Sequence, residues 1–255
     1  MRFESSKPPR CWKTLFVFLI YIVTGIEVKQ VLTGVPGLDG LLGGGLAEGS
    51  TTVLIGPIGT LKSYIGQQFI YEGLKGRESC IYVSALQDLR DVEGQVKLNF
   101  GWNLKPYVQE GLLKFVDLYT LWVAKSPDIT RPLDVKQVVE KIFDVEEGVS
   151  GGRELFHSLS PLFNFLEDER VVLRLVHVIK AKAKKAGVTV LFLLDEGAQP
   201  KHVEENIKSA CDYVLTTDIA GKDRRIRVTK SLTRHELEWH NLILTDKGVK
   251  VEVIL

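Results

Sequence analysis

An eight-residue segment carries the residue types that bind phosphate groups. It follows a β-rich apolar run at residues 51–55, and its members are Gly56, Pro57, Ile58, Gly59, Thr60, Leu61, Lys62 and Ser63. In a phosphate-binding loop of the form GxxxxGK followed by Ser or Thr, backbone N–H groups and the positive end of a helix surround the phosphates. The lysine contacts the β- and γ-phosphates, and the hydroxyl binds Mg²⁺. The segment therefore predicts a nucleotide-binding site.

One residue of this loop departs from the pattern. Leu61 stands where the second glycine is required, so the strict pattern is not matched. That position needs a backbone conformation that glycine reaches freely, and leucine there costs about 1–3 kcal/mol if the loop keeps its usual shape. We also expect its side chain to intrude where the β-phosphate approaches. The alternative interpretation is an ordinary turn between a strand and a helix.

Strands alternate with helices on both sides of the loop. The apolar pattern predicts strands at 51–55, 80–83, 112–116, 155–159 and 188–194, and helices at 62–72, 88–99, 134–146 and 168–186. Such alternation favours a mainly parallel sheet flanked by helices. Short strands are also predicted at 225–230, 239–244 and 249–254, the last two joined by a hairpin signal at 246–248. The predicted fold class is therefore α/β, with antiparallel strands near the C-terminus.

The composition is that of a globular protein. The chain has 255 residues, of which 45% are hydrophobic, and 33 Lys and Arg nearly balance 32 Asp and Glu. This near-neutral charge gives no global attraction to nucleic acid or to membranes. Cys11, Cys80 and Cys211 have the spacing of neither a disulfide framework nor a zinc site, and they favour a reducing compartment. We therefore predict a cytoplasmic protein that is not embedded in a membrane.

The first 24 residues differ from the rest of the chain. Lys7, Arg10 and Lys13 precede an apolar run at 15–23, which is shorter than the about 20 residues that span a bilayer. We interpret residues 1–24 as an N-terminal extension and residues 25–255 as one domain. A signal peptide or anchor is the alternative, although residues 24–27 make a poor cleavage site. Whether the extension belongs to the mature protein stays open.

The segment upstream of the loop resembles a known family. Residues 33–46 read TGVPGLDGLLGGGL. This segment is similar, nearly residue for residue, to a signature of the KaiC-like proteins and of the wider RadA group of RecA-superfamily ATPases. The similarity covers about residues 27–255 and includes the segments 100–104 and 158–162. It implies a RecA-like P-loop NTPase fold that binds ATP at subunit interfaces, often in hexameric rings.

The comparison with this family also shows that the sequence differs from it at the residues that such ATPases use for hydrolysis. Family members end the strand before residue 158 with an aspartate that orders Mg²⁺, and His157 stands there instead. A neutral imidazole supplies no carboxylate charge to a metal. The family's glutamate pair, one member of which polarises the attacking water, is replaced by Leu86 and Gln87. Gln87 retains the ability to orient water, but it cannot accept a proton.

A third departure concerns the family's Lys-x-Arg pair, which projects towards a neighbouring subunit's γ-phosphate. Lys230 is retained, but Leu232 replaces the arginine. Arginine fingers contribute about 10³- to 10⁵-fold to the rate, so this loss alone is serious. Asp195 and Glu196 provide an alternative source of carboxylate if the alignment of His157 is wrong. Their strand, however, lies one crossover later, where the family has no metal ligand.

These departures predict a degenerate family member with no assigned catalytic or metal-binding residue. Such a chain acts as a regulatory or scaffold protein that binds ATP weakly, with little or no hydrolysis and no firm place for Mg²⁺. The expected partners are copies of itself, in a hexamer for example, or a related ATPase. A residual ATPase that uses Gln87 and Asp195 or Glu196 is one alternative. A recombination factor that binds DNA through basic residues at 224–227 or 182–185 is another, although neither stretch has interleaved aromatic residues.

Overall fold

A nine-stranded sheet organises the residues that the computed structural model describes, namely 29–125, 134–166 and 168–252. The predicted extension at 1–24 lies outside these ranges. The strands are β1 (Gln30–Val31), β2 (Leu46–Ala47), β3 (Thr51–Gly56), β4 (Cys80–Ser84), β5 (Leu113–Asp117), β6 (Arg153–His157), β7 (Thr189–Asp195), β8 (Tyr213–Ala220), β9 (Asp223–Lys230), β10 (His240–Thr245) and β11 (Gly248–Glu252).

The strand order across the sheet is β11-β10-β9-β8-β3-β7-β6-β4-β5. The six strands from β8 to β5 are parallel to one another, whereas β9, β10 and β11 pair antiparallel. The short strands β1 and β2 form a separate antiparallel ribbon. The predicted α/β class with antiparallel C-terminal strands is confirmed.

Helices cover both faces of this sheet. They are α1 (Leu38–Leu41), α2 (Lys62–Lys75), α3 (Leu89–Phe100), α4 (Lys105–Gln109), α5 (Leu118–Lys125), α6 (Val135–Glu146), α7 (Ser160–Leu166), α8 (Glu169–Ala186) and α9 (Lys201–Ala210). The helix starts predicted at Asp88, Asp134 and Asp168 are confirmed, because each side chain accepts a backbone N–H of its helix's first turn. Among the described residues, no helix is long and apolar enough to cross a membrane.

The core is split by the sheet into two apolar layers. Leu54 of β3 packs with residues of α2 and α3 on one face, whereas Val53 and Ile55 pack with α6, α7, α8 and α9 on the other. Because successive side chains of a strand point to opposite faces, a strand covered on both sides is largely apolar, as β3 is from Val53 to Ile55. The central strand β3 is therefore buried along its whole length, and the phosphate loop starts where it ends.

The strand that carries His157 begins and ends two residues earlier than predicted. The sequence pattern placed it at 155–159, but β6 extends its pairing with β4 back to Arg153 and stops at His157. Arg153 is buried in the strand because its guanidinium bonds Glu78 and the carbonyls of Leu32 and Phe69. Arginine is a polar residue, so the apolar pattern did not indicate that Arg153 is buried in the strand. The predicted start of the strand was therefore two residues too late.

A buried pair of carboxyl groups lies between β6 and the end of α6. Glu154 of β6 is only 2% exposed, and it lines a small cavity together with Glu146 and Lys182. Burial, and then the neighbouring Glu146, raise the pKa of Glu154 well above its usual value, while Lys182 opposes the shift. Lys182 forms an ion pair with Glu146 and lies 3.6 Å from the ring centre of Phe143. This lysine of the predicted DNA-binding cluster is thus engaged within the fold.

The pair leads to a prediction about stability and pH. In the folded state Glu154 stays protonated at pH values where the unfolded chain has ionised it. The free energy of unfolding is therefore highest below the pKa that Glu154 has in the unfolded chain, and it falls as the pH rises towards the pKa of Glu154 in the folded protein. Glu154→Gln cannot ionise and should remove this loss, at up to about 1.4 kcal/mol per pH unit within that window. Urea unfolding from pH 4 to pH 9 measures it. The exposed control Glu147→Gln should follow the wild type, and parallel curves for Glu154→Gln and the wild type would refute the prediction.

Candidate nucleotide-binding site

The phosphate loop lies at the carboxyl edge of the parallel strands. Gly56 pairs in register with Asp195 of β7 on one side, and the preceding Ile55 pairs with Thr216 of β8 on the other. His157 ends β6, the next strand beyond β7. Ligands of open α/β sheets bind at this edge, outside the carboxyl ends of the strands. The topology thus brings the loop, Asp195 and His157 together from three separate parts of the chain.

Leu61 has the backbone conformation that the sequence required of it. Its φ is 69° and its ψ is 12°, in the left-handed region, and it directly precedes α2. The predicted glycine-like geometry is therefore confirmed, and the loop keeps the shape from which N–H groups and the helix start can face an anion. The expectation that its side chain blocks the phosphate was wrong. That side chain is 9% exposed and packs in the apolar layer that contains Ile65 and Leu54.

The neighbouring strand β8 holds the loop in place. The hydroxyl groups of Thr60 and Thr217 share a hydrogen bond of 2.7 Å, and Arg224 donates from Nε to the carbonyl of Gly59 at 2.7 Å. Gly56 approaches β8 so closely that a Cβ atom there would lie 2.2 Å from the Thr217 hydroxyl. The first glycine of the loop is therefore required by packing against β8.

Lys62 lies inside the loop and is 6% exposed. Its Nζ donates to the carbonyls of Gly56 and Pro57, both at 2.7 Å, and lies 3.0 Å from Oδ1 of Asp195. Burial lowers the pKa of Lys62, while Asp195 and Glu196 act in the opposite direction. The three N–H groups of the ammonium are thus matched by three acceptors. Phosphate oxygens would take the place of some of these acceptors.

His157 occupies the position that the sequence assigned to it, beside the last residue of the loop. Its Nε2 lies 2.9 Å from the Ser63 hydroxyl and its Nδ1 lies 2.7 Å from the Tyr82 hydroxyl. Burial lowers its pKa to about 4, with a small opposing effect from Asp195, so the ring is neutral at pH 7. A neutral imidazole donates from one nitrogen and accepts at the other. In either tautomer it engages the hydroxyl that would bind Mg²⁺.

These residues do not fit the Mg²⁺ site of a phosphate loop. Mg²⁺ prefers oxygen ligands, usually with one or two carboxylates in reach. Ser63 is held by an imidazole, and the carboxylate of Asp195, at the end of the neighbouring strand β7, is paired with Lys62. Across the described ranges, no cluster of three His, Cys, Asp or Glu side chains could hold a metal ion. In this structure the Ser63 hydroxyl and the Asp195 carboxylate are both engaged by protein groups.

The predicted replacements of the glutamate pair follow β4. Leu86 is 43% exposed, and Gln87 is fixed by its backbone, which exchanges hydrogen bonds of 2.6 and 3.2 Å with the Ser84 hydroxyl. Oε1 of Gln87 is buried and has no hydrogen-bond partner in the described part of the chain. An amide oxygen in this position can accept a hydrogen bond from water, but it is too weak a base to remove a proton.

Lys230 does not project from the surface. Its Nζ donates to the carbonyls of Ser209 and Cys211, at 2.9 and 2.6 Å, at the end of α9. A cation at the C-terminal end of a helix satisfies free carbonyls and interacts favourably with the helix dipole. Leu232, which the resemblance aligns with the finger arginine, is 60% exposed. In this structure neither residue presents a cation outwards.

The basic run at 224–227 is divided between two environments. Arg225 pairs with Asp218 at 2.6 Å, and the guanidinium groups of Arg225 and Arg227 lie 4.5 and 4.6 Å from the ring centre of Trp239. The hydrogen bond from Arg225 lowers the pKa of Asp218. The basic run itself contains no aromatic residue, but Trp239, which lies outside the run, contacts these two arginines within the fold. Arg224 contacts the phosphate loop instead.

The parallel sheet, the strand-loop-helix unit and the left-handed residue before Lys62 define a RecA-type P-loop fold. A family model described as "ATPase: KaiC" matches residues 31–254. The chain belongs to this KaiC-like ATPase family, and it therefore shares the family's P-loop NTPase architecture.

Individual relatives agree with this assignment. A UPF0273 protein of Methanopyrus kandleri is 28% identical over 244 residues, which cover 89% of this chain and 93% of that protein. The circadian clock oscillator protein KaiC of Acaryochloris marina is 26% identical over 236 residues, which cover 89% of this chain and 44% of KaiC. The crystal structure of a KaiC-like protein of Pyrococcus horikoshii aligns with a TM-score of 0.74 and 25% identity, over 89% of this chain and 100% of that chain.

Proposed function

We propose that the chain is a regulatory or scaffold member of the KaiC-like family that binds ATP weakly and hydrolyses little or none of it. One observation carries the proposal most directly. His157 stands at the position of the metal-ordering carboxylate and is held between the hydroxyl groups of Ser63 and Tyr82. A neutral ring in that place stabilises the loop without a metal, and it offers no charge to hold one.

Retained binding is supported by the conformation of the loop. Residues 56–63 keep the left-handed turn at Leu61, and Lys62 is buried among acceptors that phosphate oxygens resemble. Weak binding is supported by the electrostatics. Nucleotide phosphates must displace Asp195 from Lys62 and approach Glu196, so part of the attraction is offset by like charge.

The proposed mode of action follows from the catalytic groups that the proposed site lacks. A chain without a general base or a finger cation in place responds to ATP by binding it, and the response is passed on by protein contacts. The proposed partners are further copies of the chain or a related ATPase, with the cytoplasm as the proposed location. Leu232 and Leu237 lie in the segment that replaces the finger, and at 60% and 61% exposure they favour an apolar contact there.

A residual ATPase is the second candidate, and Asp195 is the observation that favours it. Its carboxylate reaches Lys62 at 3.0 Å from the end of β7, and its backbone N–H is held by the Ser160 hydroxyl at 2.8 Å. A carboxylate fixed at this distance could turn from Lys62 to a metal ion once phosphate has engaged the lysine. In that case Gln87 would orient the attacking water.

Calorimetric titration with ATP, in Mg²⁺ and in EDTA, separates the two candidates. We expect the two affinities to differ by less than about tenfold, or ~1.4 kcal/mol, because Ser63 alone is a weak ligand. Lys62→Ala should abolish binding in both buffers and serves as the control for non-specific heat. A hundredfold gain with Mg²⁺ that Asp195→Asn removes would favour the residual ATPase. Absence of any binding would remove the nucleotide from the proposal and leave the scaffold function.

A further inference from the structure

The side chains of Tyr82, His157 and Ser63 form a continuous line of hydrogen bonds that ends at the phosphate loop. The Tyr82 hydroxyl lies 2.7 Å from Nδ1 of His157, and Nε2 of the same ring lies 2.9 Å from the Ser63 hydroxyl. Tyr82 is 1% exposed and His157 is 3% exposed, so both are shielded from solvent. Ser63, in the first turn of α2, is only half-buried. What its hydroxyl offers to a ligand therefore depends on where the hydrogens lie along this line.

The surroundings of Tyr82 give these hydrogen bonds a direction. Burial raises the pKa of Tyr82, so its hydroxyl keeps its hydrogen, while a hydrogen bond with Gln67 acts in the opposite direction. A partner that lowers the pKa of a phenol is one that donates to its oxygen, because donation stabilises the ionised form. The amide nitrogen of Gln67 carries two hydrogens, one of which goes to Oε1 of Gln95 at 3.2 Å. The Tyr82 oxygen thus accepts from Gln67, and its own hydrogen is left for Nδ1 of His157.

The neutral ring of His157 carries one hydrogen, and a hydrogen bond received at Nδ1 places that hydrogen on Nε2. Nε2 then donates to the oxygen of Ser63. Within the described ranges the Ser63 side chain makes this one hydrogen bond, so its own hydrogen is left without an acceptor. In a metal-binding loop the hydroxyl uses its oxygen. Here the same hydroxyl presents its hydrogen, which suits an acceptor such as a phosphate oxygen.

We propose that Tyr82 fixes the tautomer of His157 and thereby makes the Ser63 hydroxyl a hydrogen-bond donor to a phosphate oxygen of the nucleotide, with no metal ion between them. The inference rests on the proposed function, since it names a contact by which that site binds phosphate. Tyr82 and His157 are positioning residues, because they act through Ser63. A hydrogen bond to an ionised oxygen is about twice as strong as one between neutral groups. The ligand class is therefore a nucleotide polyphosphate free of metal.

Side-chain ¹⁵N NMR of the histidines measures the tautomer at pH 7 without any nucleotide. A ring nitrogen that carries a hydrogen and one that does not have well-separated ¹⁵N shifts, and the His157→Gln variant identifies the signals of His157. We expect the hydrogen on Nε2 in the wild-type protein. A hydrogen on Nδ1, or on both nitrogens, would overturn the inference even in a protein that binds ATP.

Calorimetric titration with ATP in EDTA tests whether Tyr82 acts through Ser63. Ser63→Ala should lower the ATP affinity about tenfold, the scale of one hydrogen bond to a charged group. Tyr82→Phe removes only a hydroxyl and should lower the affinity about threefold or more. In the double variant Tyr82→Phe should add less than about twofold to the loss, because the group that it positions is already gone. Circular dichroism melting checks that each variant is folded.

Tyr213→Phe is the matched control for the loss of a buried tyrosine hydroxyl. Tyr213 is also 1% exposed, and its hydroxyl accepts one hydrogen bond, from the backbone N–H of Ala47. It lies at the start of β8, whereas the phosphate loop lies at the opposite, carboxyl edge of the parallel strands. Its ATP affinity should stay within about twofold of the wild type.

Two results of the titrations would overturn the inference while the proposed function stands. One is a full, additive loss from Tyr82→Phe in the Ser63→Ala background, which would make Tyr82 a support of the fold. The other is wild-type affinity in Ser63→Ala. If the wild-type protein binds no ATP, the proposed nucleotide site fails, and the phosphate contact fails with it even where NMR finds the hydrogen on Nε2.

Discussion

ATP incubated with the purified chain and Mg²⁺ should remain intact over many minutes. Hydrolysis in this fold needs a base that accepts a proton from water, and Leu86 and Gln87 supply none. It also needs charge stabilisation from a metal and from a finger, and under the proposed function His157 and Leu232 stand in place of both. Loss of a finger alone costs about 10³- to 10⁵-fold in rate. The expected turnover therefore lies far below the ~1 s⁻¹ that is usual for enzymes.

The measurement is steady-state phosphate release, with Lys62→Ala as the control for contaminating ATPases. Contaminants would give the same rate in both proteins, whereas hydrolysis at this site would disappear in the variant. Turnover of about 1 s⁻¹ that depends on Lys62 would contradict the proposed function and support the residual ATPase.

A stepwise repair extends this test. His157→Asp should create a strong Mg²⁺ dependence of ATP binding, because it returns a carboxylate beside Ser63 in a buried place where Tyr82 can donate a hydrogen bond to it. Hydrolysis should stay low until an acid is also introduced at Gln87 or Leu86. If His157→Asp alone restored ordinary turnover, the missing metal ligand would be the only defect. The hypothesis that several independent replacements inactivate the chain would then be wrong.

Local patterns in the sequence were enough to predict the elements that hold the loop. The β-branched run before Gly56 and the helical spacing after Lys62 are short-range signals, and β3 and α2 confirm them. The glycine-like conformation at Leu61 was also predictable, because the chain geometry between a strand and a helix that bind an anion admits few alternatives. The direction of the leucine side chain was not, since it depends on an apolar layer built from distant residues.

The parts that the sequence left unpredicted are those set by distant pairing. No strand was predicted at β8, because its mixed residues show neither strict alternation nor a continuous apolar run. This strand nonetheless contacts the loop through Thr217 and continues into the hairpin that carries Arg224. Asp195 was weighed only as a substitute metal ligand, whereas the structure pairs it with Lys62. A sheet register brings these residues together, and no local pattern encodes it.

The backbone conformation and the burial of Leu61 determine the expected effect of replacing it with glycine. Its left-handed backbone costs about 1–2 kcal/mol in the folded loop, whether or not a nucleotide is bound. Strain that is present in both the free and the bound protein cancels in the binding free energy. Its buried side chain meanwhile stabilises the fold, and removing a buried leucine costs about 2–5 kcal/mol. The packing effect exceeds the strain effect.

Leu61→Gly should therefore destabilise the protein by about 1–3 kcal/mol and lower its Tm by several degrees, while ATP affinity changes less than about threefold. The chain offers a matched control in Arg77, the other non-glycine residue with positive φ in the described ranges, at 62°. Its side chain is 67% exposed and makes only a surface ion pair with Glu110, so Arg77→Gly relieves backbone strain without loss of apolar packing. Thermal unfolding should show Arg77→Gly near the wild type and Leu61→Gly well below it. A tenfold tighter affinity in Leu61→Gly, measured by calorimetry, would instead mean that the leucine hinders the bound loop specifically.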